Sequence, residues 1–309
     1  MATATLWEEI VDALNAVNGG AHPGYRAVHA KGTVCRGTFT PTPEASKLSR
    51  AAHLQGEPAE ATIRFSNASG DPLTSDANPI AGRGMAVKFH LPGGEATDIV
   101  SVPLVVFLAR NPEDFLEMTR ARRPDPETGQ PDPEKLGAYL SAHPEFGVAL
   151  QKGLPKLAPT TSFATSDYRA LHAFALVDSE GEKHWGRYSW EPEDGTEYLT
   201  EEQREVVSPD YLQEEICERL GSGIARFTLE FTLAGDGDPL EDPTVEWEGE
   251  REVVELGELE VIEVVEDAES PADPLVFDPM RLTDGIEPSE DKILAARPKA
   301  YSVSIGRRT

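Results

Sequence analysis

Cysteine and positive charge are scarce in this chain. Its 309 residues include only two cysteines, Cys35 and Cys217, too few for a disulfide framework. Basic residues number 28 against 55 acids, a net charge of −27, which excludes a nucleic-acid or anionic-membrane binder. That charge reads as a highly solvated surface; it would also repel anionic substrates and favour neutral ones. No apolar run approaches the 18 residues of a membrane span, and Met1–Ile10 has neither a basic nor an apolar leader region, so the expectation is a cytoplasmic protein. The absence of GxGxxG, P-loop, CxxC-pair and HExxH patterns removes the commonest nucleotide and zinc readings.

What is present begins as local periodicity. Residues 5–17 read as an amphipathic helix carrying Leu6, Ile10, Leu14 and Val17 on one side. Strand alternation marks Met85–Leu91 and Ala225–Leu233, while Ile99–Ala109 and Ala173–Val177 are apolar on both faces, as in a filled barrel. Helices are expected around Pro112–Arg122, Asp132–Ala142, Pro144–Lys152, Pro209–Leu220 and Glu287–Ala296, the last with Ser289 as N-cap. Both cysteines read as buried small hydrophobes. Residues 236–273 carry sixteen acids against one base, Arg251, yet are threaded with Val and Leu. They read as an acidic segment wrapped on the barrel.

Two short runs at opposite ends carry the chemistry. Arg26-Ala-Val-His29-Ala-Lys-Gly32 offers an imidazole, and Arg297-Pro-Lys-Ala-Tyr301 a phenol. Four residues are about one helical turn, which sets the Arg297 guanidinium beside the phenol oxygen, the pattern of an anionic phenolate ligand to ferric haem. A His on the opposite haem face can take a proton from one peroxide oxygen and return it to the other. Pro298 lies between Arg297 and Tyr301 and removes an amide donor, so a kink is expected there.

These runs, with Arg64-Phe-Ser66, Gly82–Phe89, Asp98-Ile-Val100, Phe107–Pro112 and the Ser289–Tyr301 tail, resemble the haem catalases over roughly residues 20–308. Within that family the chain is similar to the small catalase-related, organic hydroperoxide-dependent peroxidases, which are reduced to the barrel core. The resemblance implies an α+β fold, a catalase-like eight-stranded antiparallel β-barrel with surrounding helices. It implies one haem-binding domain over 1–309, with an N-terminal helix at 5–17, the acidic segment at 236–273 and a proximal ligand helix at 287–308.

It also implies roles. His29 would be the distal acid–base group and Ser66 the hydroxyl that fixes its tautomer. Arg26, Arg64 and Arg308 would clamp the haem propionates. Val28 would lie over the distal face and Phe115 would stack on the porphyrin. Arg297 would support Tyr301, the axial iron ligand of haem b. One departure bears on function: the family's distal Asn falls on Val102, within Ser101-Val102-Pro103. An apolar side chain there leaves His29 able to assist peroxide cleavage and makes the pocket friendlier to an organic hydroperoxide. The expectation is therefore a haem peroxidase reducing hydrogen peroxide and organic hydroperoxides, with weak catalase activity, a small-molecule peroxide substrate, an unidentified electron donor and a homodimeric assembly. The open alternatives are a true catalase, a hydroperoxide isomerase resembling allene oxide synthase, and a non-catalytic haem carrier.

Overall fold

The computed structural model describes residues 4–269 and 274–308. Its strands are β1 (Gly32–Pro41), β2 (Ala59–Asn67), β3 (Arg83–His90), β4 (Ala96–Ser101), β5 (Tyr168–Arg169), β6 (Phe174–Val177), β7 (Lys183–Pro192), β8 (Ala225–Leu233), β9 (Val253–Val264) and β10 (Ile286–Pro288). All pair antiparallel, in the order β10-β6-β7-β8-β9-β1-β2-β3-β4, with β5 beside β7. The ring closes at one bridge. Val102 N–H donates to the Arg169 carbonyl at 3.0 Å, and Arg169 N–H donates back at 2.7 Å. Since β5 and β6 occupy successive stretches of one edge of β7, eight positions make the circuit, and closure removes the exposed sheet edge.

Alternation decides which side chains fill the barrel. In β8, Ala225, Phe227, Leu229 and Phe231 are buried in turn, and in β2 Ile63 and Phe65 point into the same core. Trp190, Phe39, Phe89, Phe163 and Phe227 are fully buried there, so the interior is packed solid. Any cofactor site must therefore lie on the outer face.

Three expectations change. Residues 253–264 are not a wrap but the barrel strand β9, lying between β8 and β1. Leu256, Leu259 and Val261 face inward, and Glu255, Glu258 and Glu263 face water, so the acids decorate one side of an ordinary strand. Residues 270–273 of that segment lie outside the described residues. Second, residues 286–288 are strand β10, and the C-terminal helix begins later, at Lys292–Arg308. Its first amides are capped by Asp291, whose Oδ1 accepts from Ile293 N at 2.7 Å and Leu294 N at 3.2 Å. Third, the strand expected to run through Ala109 stops at Ser101, just ahead of Pro103, which has no amide to donate to a ladder.

The N-terminal helix, Leu6–Val17, starts at a capping box in which Thr5 and Glu8 satisfy each other's backbone N–H. It packs against the helix Pro112–Ala121 and the C-terminal helix. Among the described residues no helix is long and apolar enough to cross a membrane. Cys35 is buried, and its thiol is pushed up to about 12 by burial; Cys217 is exposed, against expectation.

Candidate active site

Strand period places the site. Ile63 and Phe65 of β2 point into the barrel, so Arg64 and Ser66 must point out. Across the ladder Ser66 pairs with Gly32 and Gly84, and Arg64 pairs with Val34 and Ala86, which in turn faces Val100. This row forms the floor of a cleft roofed by the C-terminal helix and by Val11 and Leu14 of the N-terminal helix. It holds about 920 Å³ of unfilled space, the part open to solvent included.

Glycines make the floor shallow. A Cβ on Gly84 would lie 2.7 Å from His29 Cε1, and one on Gly32 would lie 2.7 Å from Arg64 Cζ. Only hydrogen at these two positions lets the imidazole and the guanidinium lie flat on the sheet.

His29 sits at φ +56°, the left-handed region that costs a non-glycine residue about 1 kcal/mol or more. Hydrogen bonds from His29 N to Ala68 O (3.4 Å) and from Ala30 N to Ser69 O (2.9 Å) hold that backbone. The strain turns the ring onto Ser66, with Nδ1 at 2.9 Å from Oγ. Burial pushes the imidazole down to about 3, and the nearby Arg64, Arg297 and Arg26 charges add to the shift. The ring is thus neutral in ordinary buffers, and its Nε2 has no hydrogen-bond partner among the described residues.

Tyr301 reaches the same cleft from the C-terminal helix. That helix runs through Pro298 without a break, and Arg297 Nε donates to Tyr301 Oη at 2.9 Å, so the expected pairing survives the proline. Behind Arg297 stands a pair that sequence reasoning missed. Arg297 Nη1 lies 3.1 Å from His172 Nε2, and His172 Nδ1 lies 2.5 Å from Asp291 Oδ2. Arginine only donates, so Nε2 must accept and Nδ1 must carry the proton given to Asp291. Burial also holds His172 below its usual range, consistent with a neutral ring. The only local signal was a His within the apolar run Leu171-His172-Ala173.

Asp291 therefore caps the helix and orients the relay at once. Asp291→Ala is expected to destabilise the protein by about 2–4 kcal/mol, the sum of a lost cap and a buried imidazole N–H left unpaired. Urea denaturation followed by circular dichroism measures it; a loss below about 1 kcal/mol would show that the cap and the His172 contact contribute little.

Arg26, Arg64 and Arg308 line the same cleft. Burial and then the Arg26 charge bring Arg64 down to about 10, and Arg308 Nε is buried with no hydrogen-bond partner among the described residues. Val28 lines the wall, as does Val102. Phe115 does not. On its helix it faces the N-terminal helix and stacks on Phe107 at 5.6 Å, and Phe107 in turn approaches the His172 ring at 6.1 Å. The donor set fits a haem. Guanidiniums lining the cleft suit two carboxylates, a glycine and alanine floor suits a flat ring, and a phenol oxygen suits an iron, with an imidazole in the same cleft.

The family model described as Catalase matches residues 22–308. The chain is 39% identical over 302 residues to a catalase-related peroxidase of Mycolicibacterium paratuberculosis, covering 98% of this chain and 94% of that one. It is 33% identical to the catalase-related peroxidase of Synechococcus elongatus, over 96% and 87% of the two chains. Among solved structures, a fungal catalase superposes with a TM-score of 0.79 at 21% identity, over 92% of this chain and 59% of that one. Catalase A from Saccharomyces cerevisiae gives the same score over 92% and 61%. The cleft between barrel and C-terminal helix, with His29 and Tyr301 in it, is thus built on a shared scaffold, and the chain belongs to the catalase family.

Proposed function

We propose that the protein is a haem b-dependent peroxidase that reduces hydrogen peroxide and organic hydroperoxides and has weak catalase activity. The observation that carries this reading is the meeting of His29 and Tyr301, 272 residues apart in sequence (301 − 29), in one cleft that also has Val102 in its wall. When bound, the haem would supply redox chemistry at its iron, with electrons drawn from a separate donor. Everything else falls to the chain.

Tyr301 Oη, held in place by Arg297 Nε, would bind the iron. Arg26, Arg64 and Arg308 would offer guanidinium donors to the propionates, and Val28 would pack against the ring. His29 is neutral, so its Nε2 can take the proton from one peroxide oxygen and hand it to the other as the O–O bond breaks. Ser66 Oγ keeps the ring from rotating while this happens. Phe115 contributes packing, against Phe107 and the apolar residues of the neighbouring helices.

Val102 tilts the balance between the two activities. A true catalase must hold a second hydrogen peroxide with its oxygens oriented, which takes a polar partner opposite the imidazole. Val102 has none to give, and the missing hydrogen bond costs about 1–3 kcal/mol, or roughly one to two powers of ten in rate. An alkyl hydroperoxide suffers less because its carbon tail lies against Val28, Val100 and Val102. Purified holoprotein should therefore oxidise a dye with cumene hydroperoxide and evolve little oxygen from hydrogen peroxide. Val102→Asn should raise oxygen release several-fold and lower the preference for the organic peroxide. The gain is partial because the Val102 backbone is tied to Arg169 in the barrel closure. Brisk oxygen evolution by the wild type would overturn this reading.

A further inference from the structure

The guanidinium cluster already holds a carboxylate of the chain itself. Glu269 lies 205 residues from Arg64 in sequence, yet its Oε2 accepts from Arg64 Nε at 2.8 Å, while Oε1 pairs with Arg26 Nη1. Two more of the guanidinium nitrogens donate to backbone carbonyls. Arg26 Nη2 donates to the Leu275 carbonyl at 2.7 Å, and Arg64 Nη2 donates to the Ala30 carbonyl at 3.3 Å. Glu269 bridges Arg26 and Arg64, so a porphyrin carboxylate that is to bridge the same two guanidiniums competes with it for that position.

We propose that Glu269 is a competing carboxylate built into the cofactor's docking site, so that the protein acquires its porphyrin by exchange of one carboxylate for another. This rests on the haem reading above. The physical reason for such a residue lies in Arg64, whose side chain is only 4% exposed. Three guanidiniums facing one another without an anion would repel and would lack partners for their N–H groups. Glu269 pairs with Arg26 and Arg64 and supplies the anion between them. Its own side chain stays 30% exposed, so it can swing into water when displaced. The Arg64 and Arg26 charges hold its carboxyl below the usual carboxylate range, so the contact persists at neutral and mildly acidic pH. The exchange leaves the charge of the clamp unchanged and moves no proton. Its consequence is a lowered apparent affinity, since the binding-competent state is only the fraction in which Glu269 has let go.

The test titrates full-length, cofactor-depleted protein with protoporphyrin IX and, separately, with its dimethyl ester, following porphyrin fluorescence; haemin and its Soret band give a second reading. Glu269→Gln is compared with Glu266→Gln, which removes the same charge from an exposed acid three residues earlier. Glu269→Gln should bind the diacid about tenfold tighter, which corresponds to a contact formed about nine-tenths of the time. Glu266→Gln should bind like the wild type, and the diester should bind all three alike, because it has no carboxylate to exchange. Unchanged or weaker diacid binding by Glu269→Gln overturns the proposal, as does an equal gain with the ester. If the wild type bound no porphyrin at all, the haem reading itself would fail, a result distinct from either.

Discussion

His29→Ala should keep the cofactor and lose about a hundredfold to ten-thousandfold in its reaction with peroxide, the usual worth of a positioned acid–base group. Retention is expected because no clamp residue is hydrogen-bonded to the imidazole; its side-chain partner among the described residues is Ser66. The loss is expected because the apolar residues of the cleft, Val28, Val100 and Val102, carry no titratable proton and its arginines have no acceptor to take one. Stopped-flow absorption in the Soret region separates the two effects, since it reports the bound cofactor and its rate of change together. A wild-type rate in the variant would remove His29 from the chemistry. The pH profile gives an independent reading. An imidazole held at about 3 stays neutral through roughly pH 5–8, so the peroxide reaction should be flat across that window and fall only as pH approaches about 3. An acid limb near the ordinary histidine value of about 6.5 would mean that the ring is better solvated than its burial implies.

Tyr301→Phe should lose most of the bound haem. The substitution removes one oxygen and little volume, so the fold should survive, as far-UV circular dichroism would show. What goes is the ligand atom, and with it the partner of Arg297 Nε. The propionate clamp and the apolar floor remain, so some haem should be retained, with a Soret band shifted from that of the wild type. Titration of cofactor-depleted protein with haemin measures both the loss of affinity and the shift. Haem binding with wild-type affinity and spectrum would mean that another group holds the iron.

Both residues stand out in the amino-acid sequence because the signals around them are short-range. His29 and Arg26 sit within one turn-sized motif, Arg297 and Tyr301 are one helical turn apart, and Arg64 and Ser66 share a strand face by alternation. Local spacing is enough to bring each pair together, whatever the rest of the chain does. The strands of the filled barrel are legible in the same way wherever alternation is clean, as in Ala225–Leu233. Alternation fails as a guide in β9, where a dense acidic face conceals an ordinary inward row, and beyond Ser101, where apolar residues continue although Pro103 ends the ladder.

The sequence by itself singled out His29, Tyr301, Arg26, Arg64, Arg308 and the apolar residue at 102, all of which line the one cleft. Tertiary structure alone decided what stands behind and around them. His172 and Asp291 meet across 119 residues, Glu269 reaches Arg64 across 205, and Val102 closes the barrel onto Arg169. Such contacts leave no periodic trace, since neither partner's neighbours need resemble the other's. Phe115 shows the same limit from the opposite side. The sequence placed it on the correct helix, Pro112–Ala121, but which way that helix turns its faces was set by the N-terminal helix packed against it. Spacing fixes which residues share a face of an element; what that face meets depends on where the other elements are brought by packing.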